Sequence, residues 1–149
     1  MTTSESTGAR SSEVFSDYEK QAMKERAAEL KAQSGRRGKK DGEADVLAKI
    51  AEMPADERAI AEGLHALVKE VHPTSTCKTW YGMPAYQRDG RTIVFFQSAT
   101  KMQTRYSTVA FDGAANLDDG PMWPTSFAVT RWDDAVAARV RELLERAFS

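Results

Sequence analysis

Apolar positions follow a helical period up to Val71, a strand-like period from Cys77 to Phe111, and a helical period again from Asp133 to the end of the chain. Residues 1–13, MTTSESTGARSSE, carry almost no apolar side chain and read as a disordered tail. Over 14–33, Val14, Tyr18 and Ala22 share one face, and Met23, Ala27 and Leu30 continue an apolar stripe. Ser16 and Glu19 fit a capping box, and the residues between are good helix formers. A stripe made largely of alanine holds a helix only weakly, so this arm is expected to dock on the rest of the chain or to cross to a second copy as a homodimer contact. Residues 34–42 hold three glycines and four cations, Arg36, Arg37, Lys39 and Lys40, and read as a linker.

Two further helices are expected. Val46, Ile50 and Met53 mark the first, which ends at Pro54. Ile60, Leu64, Leu67, Val68 and Val71 mark the second, with Asp56 as its N-cap and a stop before His72-Pro73. Tyr86-Gln87-Arg88 then runs into Asp89-Gly90, a two-residue hairpin signal. Thr92 to Phe96 is apolar on both parities, which fits a central strand covered on both faces. Residues 103–111 alternate as a third strand, 112–125 form a long irregular segment, and 126–129 a short strand. Thr130 with Asp133 resembles a capping box for a last helix over 133–148, which buries Val136, Val140, Leu143, Leu144 and Ala147. Helices, then an antiparallel sheet of about four or five strands, then a helix make an α+β domain over 43–149, with 14–42 as a helical arm and linker.

Composition then narrows the chemistry. All three tryptophans lie beyond residue 43. With 21 basic and 22 acidic residues the net charge is −1, so no global field favours nucleic acid or an anionic membrane. The Arg36–Lys40 run is short and flanked by Glu29, Asp41 and Glu43, too little for a nucleic-acid site. One cysteine, Cys77, forms no internal disulfide and reads as a small buried hydrophobe. Without a signal peptide or a spanning apolar run the expected compartment is cytoplasmic. His65 and His72 stand about 10.5 Å apart along one helix, too far to share a metal, and each reads as a surface or boundary histidine. No Walker A, GxSxG or HExxH motif occurs.

The segment Thr79-Trp80-Tyr81-Gly82-Met83-Pro84-Ala85-Tyr86 followed by Asp89-Gly90 resembles the signature of the YdhG-like domains, a bacterial family of unknown function. Phe15 to Glu19, Met23 to Arg26, Arg105-Tyr106 and Leu117 to Pro124 are similar to one actinobacterial branch of it. The likeness covers about residues 14–148. It implies a small α+β fold, and its founding member is described as a frataxin-like intracellular iron chaperone. It carries no catalytic residue set to this chain.

Three candidate groups follow. Trp80, Tyr81, Met83, Pro84 and Tyr86, with Tyr106 and Trp123 as neighbours, either wall a pocket for a flat ligand or fill the core around a bulge at Gly82 and Pro84. Lys78, Lys101 and Arg105 either bind an anionic group beside those rings or form a solvated face. Asp112, Asp118 and Asp119 either offer hard oxygen ligands for loosely held iron, the cargo that the resemblance implies, or make ordinary turns. The expected function is therefore a non-enzymatic binding or carrier protein, with no cofactor required and iron as the family-implied cargo. The alternatives are a small-molecule-binding domain or unrecognised enzyme built on Trp80–Tyr86, and an interaction module acting through the arm.

Overall fold

The computed structural model describes residues 16–35 and 42–149. The expected tail, Val14 and the Arg36–Lys40 run lie outside the described residues. The elements are α1 (Asp17–Gly35), α2 (Glu43–Ala51), α3 (Ala55–Val71), β1 (Thr76–Trp80), β2 (Met83–Arg88), β3 (Arg91–Gln97), the one-turn α4 (Ala99–Met102), β4 (Ser107–Phe111), β5 (Ser126–Val129) and α5 (Asp134–Ala147). The five strands form one antiparallel meander in sequence order. The fold is α+β, as the element order implies.

Local chemistry explains most boundaries. Ser16 Oγ accepts the Glu19 N–H, as a cap should. Helix α3 begins after Pro54, so Asp56 lies in its first turn and caps nothing. It ends at Val71 because His72, ahead of proline, takes φ −137° and ψ 80°. Asp133 is itself the N-cap of α5 and accepts the Val136 N–H at 2.9 Å, so the expected Thr130 box is displaced. The Asp89-Gly90 hairpin is present, with φ of +53° and +77°.

Two expectations about the sheet change. Tyr81 and Gly82 have φ of +52° and +77°, so they form a second tight hairpin between β1 and β2, where a bulge was expected. The bulge lies instead in β3. Tyr86 pairs with Val94 and Gln87 with Thr92, which leaves Ile93 as the extra residue. Ile93 and Val94 are both fully buried as a result.

The main core lies on one face of the sheet. Val46, Ile50, Ile60, Leu64, Val68, Val140 and Leu144 pack there against Tyr86, Val94, Phe96 and Val109. On the other face Phe95 is only half-buried, and Trp80 meets it edge-on at 5.3 Å above fully buried Ala85. The central strand is thus covered by helices on one side and by an aromatic pair on the other. Trp132 sits against Gly63 of α3, where an added Cβ would lie 2.2 Å from the indole. Among the described residues no helix is long and apolar enough to cross a membrane.

Candidate functional site

The arm helix α1 docks by its polar face. Glu29 is buried, and its carboxylate accepts two adjacent main-chain N–H groups, from Tyr81 at 2.8 Å and Gly82 at 2.7 Å. Consecutive left-handed residues turn their N–H groups the same way, which makes the β1–β2 turn a small anion cradle. Beside it the Glu25 carboxylate lies between Lys101 Nζ at 2.5 Å and Lys49 Nζ at 3.2 Å. Burial pushes the Glu25 carboxyl up, but the two ammonium groups outweigh it and hold it below its ordinary range. Arg26 completes the contact, its guanidinium 5.4 Å above the Tyr81 ring.

The expected apolar stripe splits: Tyr18 and Ala22 are half-buried on the side of Glu25 and Glu29, and its continuation faces the other way. Met23 and Leu30 are 45 % and 51 % exposed, and Ala27 is exposed as well. Met23, Ala27 and Leu30 therefore do not dock the helix on the domain. The sequence holds a signal for this. Glu25 and Glu29 are like charges at i, i+4, an arrangement that weakens an isolated helix and needs cations or N–H groups from elsewhere.

The domain side of the site is built independently of the arm. Glu57 of α3 accepts Ser98 Oγ at 2.6 Å, the Thr100 N–H at 3.0 Å and Thr100 Oγ1 at 2.6 Å. That fixes the first turn of α4 and with it Lys101, whose own N–H reaches Ser98 Oγ. Burial pushes the Glu57 carboxyl up, and these three hydrogen bonds overcome that and lower it. Gly82 takes a positive φ that favours glycine. A Cβ there would lie 2.1 Å from Glu25 Oε2 and 2.5 Å from Lys101 Cε. Lys49, Met53, Gly82, Ser98 and Lys101 border a cleft of about 160 Å³ at this point, with Glu25 at its wall.

The residues expected to bind a ligand divide. Lys101 and Tyr81 belong to the cradle, and Trp80 adjoins it through an edge contact with Tyr81 at 5.7 Å. Met83 and Tyr86 are core, 6 % and 1 % exposed. Arg105 and Tyr106 are exposed, stack on each other at 6.0 Å, and do not border the cleft. Lys78 is half-buried on β1. Trp123 borders a second cleft of about 240 Å³ together with Asp112 and Asp118, while Asp119 is exposed outside it. Among the described residues no three His, Cys, Asp or Glu side chains are grouped to hold a metal ion.

His65 is not the surface or boundary residue expected from its spacing. It is buried, with Nε2 2.7 Å from Glu43 Oε2 and Nδ1 2.9 Å from the Tyr86 hydroxyl. The carboxylate only accepts, so Nε2–H donates to Glu43, while Nδ1 pairs with the Tyr86 hydroxyl. Burial above all, with Cys77 and Glu43 nearby, pushes the Tyr86 phenol well above its ordinary value. Tyr86 is 1 % exposed, so this chain of groups joins α2, α3 and β2 and meets no ligand. His72 stacks on Phe148 at 5.0 Å, and Cys77 is buried.

Compared with protein-family models, curated proteins and solved structures, the chain matches none.

Proposed function

We propose that the chain is a non-enzymatic binding protein that takes an anionic group at the Tyr81–Gly82 turn. One observation carries this reading: two adjacent main-chain N–H groups converge on a single carboxylate, beside two lysines on a small cleft. Fixed N–H dipoles and ammonium groups recognise carboxylate and phosphate oxygens, and such charge-assisted bonds are worth about 1.5–3 kcal/mol each. The site holds a buried acceptor without a nucleophile or a base positioned against it, so binding is the chemistry it favours. Thermal melting of the full chain against a panel of small carboxylates and phosphate esters tests the reading. A ligand at about 100 times its Kd adds about 2.7 kcal/mol of stability, and Lys101→Met should cancel most of the rise. A panel that moves neither the wild type nor an E25A/E29A variant would sink it.

A second reading rests on the resemblance to the YdhG-like domains and makes ferrous iron the cargo. Asp112 and Asp118 bordering one cleft support it, since open carboxylate sites suit loose iron binding. The expected result is weak ferrous binding by anaerobic calorimetry, lost in Asp118→Ala. No heat with the wild-type chain would end this reading.

A further inference from the structure

We infer that α1 is a built-in competitor for the site, and that the ligand is a small dianion whose two anionic groups replace the carboxylates of Glu25 and Glu29. This rests on the anion-binding reading above and adds the ligand class and the way the site is controlled.

A helix kept in place for the fold's stability turns its apolar stripe to the core. Helix α1 does so only in part: Tyr18 and Ala22 are half-buried, but Met23, Ala27 and Leu30 face solvent, and the polar groups that the domain receives are Glu25, Arg26 and Glu29. Much of its hold is therefore electrostatic, and another anion can supply the same interactions. The domain side is pre-formed without the arm, because the Tyr81–Gly82 turn follows from hairpin geometry and Lys101 is set by Glu57, Ser98 and Thr100.

The two carboxylates define what fits. Residues i and i+4 on a helix hold their side chains about 5–6 Å apart at Cβ. One anionic group would take the N–H pair of Tyr81 and Gly82, the other the Lys49 and Lys101 ammonium groups. A flexible α,ω-dicarboxylate of glutarate length spans that distance, as does a phosphorylated short-chain acid. Gly82 leaves room for close approach, since the space a Cβ would fill is where a carboxylate and a lysine already meet.

The arm is tethered close by, so it competes at an effective concentration of about millimolar. A free ligand sees its affinity reduced by the fraction of time that the site is open.

Glutarate titrated into the isotope-labelled full chain, read at the Tyr81 and Gly82 amide resonances, tests this. E25A/E29A should bind at least about tenfold tighter than wild type, the factor expected for a site open about a tenth of the time. E25Q/E29Q, which keeps side-chain bulk, should fall between them, and Lys101→Met should abolish the response in each background. Acetate should bind more weakly than glutarate. Equal half-saturation in wild type and E25A/E29A, both folded by near-ultraviolet circular dichroism, would overturn the competitor while leaving the anion site standing. No amide shift in any variant would overturn both.

Discussion

Alanine at position 63 is expected to destabilise the protein, even though alanine is the better helix former. Gly63 lies in the middle of α3, and an ideal Cβ would stand 2.2 Å from Trp132 Cε2 and 2.4 Å from Nε1. Replacing a mid-helix glycine by alanine gains about 1 kcal/mol. Forcing a methyl group into a packed contact costs about 1–3 kcal/mol, and a rigid indole has no flexible end to move aside. The clash should win, with a net loss of about 1 kcal/mol in denaturant unfolding and a thermal midpoint lower by a few degrees. The sign should reverse once the indole is gone. In a Trp132→Ala background the same Gly63→Ala change should stabilise by about 1 kcal/mol, a coupling that a double-mutant cycle reads directly. A stabilising Gly63→Ala in the wild type would show that Trp132 does not pack against α3.

His65→Ala should cost more, about 3 kcal/mol. It removes a ring from a site that is 9 % exposed, opens a cavity and leaves the Tyr86 hydroxyl buried without its partner. Glu43 loses one contact but keeps Lys69 at 3.4 Å, so the charged end is only partly orphaned. Tyr86→Phe should cost about 1–2 kcal/mol, because it leaves His65 Nδ1 unpaired but makes no cavity. Urea melts of both variants check the order. A Tyr86→Phe loss equal to that of His65→Ala would mean that the hydrogen bond, and not the ring's volume, dominates. Neither variant should change anion binding at the β1–β2 turn, since neither side chain borders that cleft.

Several elements were legible because the signal is local. The stripe from Ile60 to Val71 placed α3, the His72-Pro73 pair ended it, and Asp89-Gly90 placed one hairpin. The Tyr81-Gly82 hairpin was harder to read. Tyrosine is a poor guide to positive φ, and the apolar residues on either side made the segment look continuous. The short helix α4 was hidden inside an expected strand region. Its start depends on Glu57 meeting Thr100, 43 residues away in sequence.

The candidate site was half legible. Lys101, Tyr81 and Trp80 stood out as a cation beside aromatic rings. Lys49, Glu25 and Glu29 did not, because a charged residue on a helix is usually only solvated. Their roles need Glu29 to meet main-chain groups 52 and 53 residues away.

The sequence alone determined the order of the long helices and the strands, the α+β class, the absence of an internal disulfide and the apolar core positions of α2 and α3. All of these are set by neighbours along the chain or by one residue count. Only the tertiary structure decided which face of the arm docks, which tight turn cradles an anion and which histidine is buried. A polar group's free energy depends on the partner it finds across the fold, and a helical period records burial of apolar surface but carries no trace of that partner.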